Sequence, residues 1–235
     1  MMSAVILDLY CLLTSLMVIG LVVWGLQKGG STSKVHHFNR VVWGVGLVLL
    51  AWYLISVGFA IRGIYQASVN VKIPALPFAI FLPVILGLTV IFRSKTAQKI
   101  VDSVPLSWLV GVQSYRVLGG IFLVLYFYGK LPGQFALPSG IGDVLVGLMA
   151  FVLLFSIKKI AKPSFVIYVW NILGILDFMD AIATGIMTSP GKLQVMSLSH
   201  PNILATAYPL VLIPIFIVPL SFILHGICIW KLQRS

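Results

Sequence analysis

All five acidic residues of this chain are aspartates, and four of them, Asp8, Asp143, Asp177 and Asp180, stand inside long apolar runs. Arg116 does the same among the basic residues, with Gln113 one helical turn before it. A charged side chain at the centre of a bilayer costs about 2.5–3.5 kcal/mol on insertion scales, so groups kept there are the ones that carry protons, bind ions or hold a ligand. The run around 165–187 is the richest. Asn171, Gly174, Asp177, Ala181 and Thr184 recur at helical spacing, with Asp180 about one turn beyond Asp177. Gly174 and Ala181 suit a tight packing seam. Two carboxyls in one stripe suit a path for protons or cations better.

The other polar positions leave two readings each. Gly140, Asp143, Gly147 and Ala150 form a matching stripe in 141–157. A helix beginning near 141 puts Asp143 in its first turn, where the helix dipole favours a carboxylate by about 0.3–1 kcal/mol; the alternative is a place in the site. Arg116 either snorkels to the interface or uses its planar fork of donors on Asp177 or on an anionic substrate. Ser221, His225 and Cys228 share one face of the last run, which Pro209, Pro214 and Pro219 interrupt. Prolines there free carbonyls that line a cavity or hinge a motion. His36, His37 and His200 fall in loops without metal-ligand spacing. With His225 alone in the apolar runs, bis-histidine haem has no ligand pair, and the last run lacks the central lysine of a retinal protein. No metal and no cofactor is expected.

The elements that must position these residues follow from composition. The 235 residues are 60% apolar and 9% charged, against about 45–50% and 25% in soluble domains. That excludes a soluble enzyme and a disordered chain. Seven runs, about 4–26, 41–62, 75–92, 108–129, 141–157, 165–187 and 206–230, reach the roughly 20 residues needed to cross a bilayer core. They must be helices, because backbone in hydrocarbon has to satisfy its own hydrogen bonds. The expectation is an all-α polytopic protein of one membrane domain over 1–235. Its first run lacks the basic leader and cleavage site of a signal peptide and is expected to be retained.

The formal charge of +11 reflects loops rather than a nucleic-acid surface. Lys28, Lys34, Arg40, Arg93, Lys95, Lys99, Lys158, Lys159, Lys162, Lys231 and Arg234 fall at one set of ends; only Arg62, Lys72, Lys130 and Lys192 fall at the other. The positive-inside rule then puts the N-terminus outside and the C-terminus in the cytoplasm. Trp24, Trp43, Trp170 and Trp230 fall towards the inner interface. Cys11 and Cys228 both lie in apolar runs and form no disulfide framework or CxxC pair.

Faint echoes relate runs 1–3 to runs 5–7: VILD and GIGD, a Val-Trp start, and proline-interrupted segments. A 3+1+3 parallel repeat of this sort resembles the architecture of SWEET- and PnuC-type carriers, although no PQ-loop dipeptide is present. The words LPGQFALPSGIGD (131–143) and WNILGILD (170–177) resemble those of small bacterial multi-pass membrane proteins known only as hypothetical. That likeness covers mainly runs 4–7 and brings no activity with it; the small size and the lack of a mitochondrial presequence point to a bacterial inner membrane as the expected location.

At about 1.5 Å per residue, Asp8, Asp143 and Asp180 fall in the outer half, Asp177 near the middle, and Asn171, Arg116 and His225 in the inner half. Four carboxylates cannot all be ionised there against one arginine, so some must hold protons or a cation. This favours a small proton- or cation-coupled permease lined by runs 4–7, with a small solute or a lipid as its partner besides the bilayer. An accessory subunit, an intramembrane enzyme on a lipid-type substrate, and assembly with further copies of the chain stay open.

Overall fold

The structure is a computed structural model, and it describes residues 4–30, 35, 37–70 and 74–234. Lys34, His36 and Lys72 lie outside the described residues. Every regular element among the described residues is helical. Seven helical segments are long and apolar enough to cross a membrane: Ala4–Gly29, Phe38–Ile61, Leu76–Arg93, Leu106–Phe127, Gly133–Lys159, Pro163–Thr188 and Ile213–Leu232. They make this an integral membrane protein. The seventh span is the hub, and the third, at the rim, has the fewest buried residues.

Helices α1 (Ala4–Gly30), α2 (Phe38–Ile61) and α3 (Leu76–Arg93) run close to the expected limits. The helix α4 (Lys95–Ser103) was not expected. Ser94 caps it by accepting from the Ala97 amide at 3.3 Å, and it buries Ile100 and Val101. At its far end the ammonium of Lys231 donates to the carbonyls of Val101, Asp102 and Val104 at 3.0, 2.7 and 2.6 Å. A cation there answers the unpaired carbonyls and the negative pole of the helix.

The fourth span departs from a plain helix. It runs as α5 (Leu106–Gly111), a 3-10 stretch (Val112–Gly120) and α6 (Ile121–Phe127). Runs of 3-10 helix longer than three or four residues are uncommon, and this one of nine residues is held from both sides. On one side the Tyr10 hydroxyl donates to the Leu118 carbonyl. On the other, α7 (Gly133–Ser156) presses its glycines against the stretch. A Cβ at Gly147 would stand 2.6 Å from the Val117 nitrogen, and one at Gly140 2.7 Å from the Leu123 side chain.

The fifth span corrects the sequence reading. α7 begins at Gly133, after Pro132, and carries Pro138 inside it, so 133–140 is helix and the span starts eight residues before the expected 141. Pro138 falls near the helix start, where few intrahelical bonds are lost. Asp143 thus stands ten residues past the first, beyond the reach of the helix pole. Its interface-cap reading falls.

α8 (Pro163–Thr188) matches the sixth run. The seventh begins at Ile213 rather than near 206, with a π turn (Ile213–Ile217) leading into α9 (Val218–Leu232). Pro209 stays outside the helix, Pro214 lies at the start of the π turn, where a missing N–H costs least, and Pro219 lies where the π turn passes into α9. Phe216 packs edge-on against Trp52 and Tyr53, with centroids 4.8 and 5.3 Å away.

Candidate functional site

Arg116 rises from the middle of the 3-10 stretch into the space between α7, α8 and α9. Its side chain is 1% exposed, and those of Asp143 and Asp177 are 13% and 12% exposed. The guanidinium Nε donates to Asp143 Oδ1 at 2.9 Å, and Nη2 donates to Asp177 Oδ2. Nη1 donates to the Gly174 carbonyl and faces His225 Nε2, both at 3.3 Å. Phe178 lies flat beneath, 3.8 Å from ring centroid to Cζ, a cation–π placement. Of the two sequence readings, the structure shows the fork on carboxylates and not the snorkel.

Behind the arginine, hydrogen bonds fix the state of His225. The Asn171 amide nitrogen donates to the Ile167 carbonyl at 2.8 Å and to Cys228 Sγ at 3.3 Å, so the oxygen of that amide turns to His225. His225 Nδ1 stands 2.8 Å from it and must donate. Nε2 then carries the lone pair that receives Arg116. The imidazole is neutral, since a second ring proton would point at a guanidinium. The ring is sandwiched by Trp170 at 4.9 Å and Phe178 at 6.0 Å. Trp170 is buried, and its Nε1 donates to the Val146 carbonyl at 3.1 Å; it belongs to the site and not to an interface belt.

Five of the seven residues singled out from sequence, Arg116, Asp143, Asp177, Asn171 and His225, therefore form one connected network. Gln113 stands beside it, donating to the Ser221 carbonyl at 3.1 Å; next to that, Tyr115 shares a hydrogen bond with Ser221. Asp180 is exposed and makes no ion pair among the described residues. Phe178 is a site residue that sequence reasoning missed, because only the polar and small residues of this run were weighed. Its signal is the spacing: four after Gly174, it shares that residue's face.

Glycines make the room. A Cβ at Gly174 would stand 2.6 Å from both His225 Cε1 and Nε2, and 3.0 Å from Arg116 Nη1. A Cβ at Gly142 would fall on the Asp177 carboxylate, 2.6 Å from its Cγ.

Two cavities meet at this cluster. A chamber of about 60 Å³ reaches from the 189–206 connection down to Asp143 and Phe178. A smaller cavity of about 20 Å³ lies towards α1, between Tyr10, Thr14, Tyr115, Arg116 and Asp143. It can hold one water. Towards the α4 end the network is sealed by buried Val146, Leu153, Ile167, Trp170 and Ile227.

The model of a family described as a domain of unknown function, DUF8737, matches residues 73–233. The chain belongs to that family. No curated protein and no solved structure matches it. The DUF8737 segment contains every residue of the Arg116 network, both of its carboxylates included. The first two spans fall outside the segment, and it is α1 that supplies the Tyr10 support to the 3-10 stretch.

Proposed function

We propose that this DUF8737 chain is a small proton-coupled permease whose switch is the Arg116–Asp143–Asp177 triad. One observation carries the reading: a single buried guanidinium is shared by two carboxylates, while the adjacent His225 is neutral. With both acids ionised the site holds a net charge of −1. A surplus charge out of water is costly, so the site gains by taking up one proton or one cation. Protonating either aspartate leaves a balanced ion pair, and releasing that proton frees the arginine to hold both again. The chamber above supplies the entry, and the apolar seal below keeps the path closed on the other side.

The basic residues place the N-terminus outside and the α4 end in the cytoplasm, so the chamber faces outward. The reading includes the 3+1+3 arrangement of spans and a bacterial inner membrane. Ser164, exposed beside Lys162 at the start of α8, tests the orientation. A cysteine at Ser164 in intact cells is expected to react with an impermeant maleimide only after the membrane is opened; labelling from outside reverses the topology.

The proton site is tested by infrared difference spectra of the protein in nanodiscs between mildly alkaline and mildly acid buffer. One protonated carboxyl band is expected on acidification, lost in Asp177→Asn and kept in Asp180→Asn, whose carboxylate lies off the cluster. In proteoliposomes with an internal pH dye, a panel of amines, sugars and carboxylates should reveal one class that discharges an imposed pH gradient through the wild type and not through Asp177→Asn. If Asp177→Asn keeps both the band and the flux, the triad is packing only.

A further inference from the structure

We infer that the chamber above Asp143 binds a small organic ammonium ion of about five heavy atoms. The inference rests on the permease reading and names its cargo. Size comes first. One water-sized position needs about 10–15 Å³, so the chamber of about 60 Å³ holds about four to six such positions.

The lining then selects charge. Phe122, Phe135 and Phe178 contribute three aromatic rings to the wall, and most of the remaining wall is aliphatic. The polar groups near the mouth are occupied with one another. Ser189 Oγ donates to the Asn202 carbonyl at 3.0 Å. The Asn202 amide donates to Thr188 Oγ1 and accepts from the Ala205 nitrogen, both at 3.3 Å. Thr206 Oγ1 donates to the Ile203 carbonyl and accepts from the Ala67 nitrogen, both at 3.0 Å.

Among the described residues, the single ionisable side chain on the wall is Asp143. Arg116 does not reach the wall; it lies against Phe178 and turns its donors to the carboxylates. An entering molecule therefore meets one carboxylate and aromatic rings. An anion is repelled there, and a neutral solute leaves the surplus negative charge unanswered. An alkylammonium answers that charge and gains from the rings, an attraction that reaches about 2 kcal/mol or more once water is excluded. Ammonium and proton meet the same need, a single positive charge at the triad, so binding of one releases the other and the two exchange.

The test uses the full chain in lipid nanodiscs and radiolabelled tetramethylammonium, which stays charged at every pH. Saturable binding is expected, undiminished by equal concentrations of tert-butanol or pivalate, its neutral and anionic analogues in shape. Asp143→Asn is expected to weaken binding by about tenfold or more, the size of one desolvated charge contact. Ala181→Phe places a ring in the chamber and leaves the triad intact, so it should abolish binding while the acid-induced carboxyl band remains. Absence of binding to the wild type, displacement by either analogue, or retained binding in Ala181→Phe overturns the cargo assignment. The carboxyl band separates the two claims. A band without tetramethylammonium binding refutes the cargo alone, whereas binding without a band refutes proton coupling alone.

Discussion

Replacing Arg116 by alanine should cost the protein about 3–5 kcal/mol, the usual penalty for stripping one partner from a buried ion pair. The loss is read as a lowered melting temperature in detergent. Two carboxylates, the Gly174 carbonyl and His225 Nε2 all lose the donor that serves them. Arg116→Lys should fail almost as badly. One ammonium is a point charge, whereas the native group reaches Asp143 through Nε and Asp177 through Nη2 at once. A snorkelling arginine would accept lysine silently. Arg116→Ala combined with Asp177→Ala should recover part of the loss, because one uncompensated acid goes with it. A double variant equal to the sum of the singles means the two side chains do not interact.

Gly142→Ala should be strongly damaging for a substitution of a single hydrogen by a methyl. The new Cβ falls on the Asp177 carboxylate, which Arg116 holds in place, so the ion pair must part or the helices must separate. Overpacking of this kind costs about 1–3 kcal/mol. The control is Gly58→Ala in α2, where nothing lies within 4 Å of the added carbon; it should be neutral or slightly stabilising, as alanine is in a helix. Infrared spectra supply the second reading, since Gly142→Ala leaves every charged group in place but should shift the Asp177 band. Equal melting temperatures for the two variants, with an unchanged band, would contradict the contact between Gly142 and Asp177.

Seven helices were legible in the sequence because length and hydropathy alone specify them, whereas the Arg116–Asp177 partnership was one of the readings the sequence left open beside a snorkelling arginine. Asp143 was half legible. Its place in the triad was hidden by Pro138 and the glycines around it, which look like helix breakers locally but serve as the smooth face that α7 lays on the fourth span. Asp180 and Phe178 show the other gap. They follow Asp177 by three residues and one, yet rotation about the α8 axis sends the carboxylate out and the ring in, and only the packed neighbours fix that rotation. The α4 helix was lost between two spans because its pattern is short and its closing bonds come from Lys231, 127 residues or more away.

The fourth span also carries a reserve of length. A 3-10 helix rises about 2.0 Å and turns about 120° per residue, against about 1.5 Å and 100° in an α-helix. Rewinding the nine residues of Val112–Gly120 as α-helix shortens the rod by about 4.5 Å and turns Arg116, four residues from Val112, through about 80°. A change of pitch in one segment thus works like a screw. It draws the guanidinium along the rod and swings it away from both acids in a single stroke.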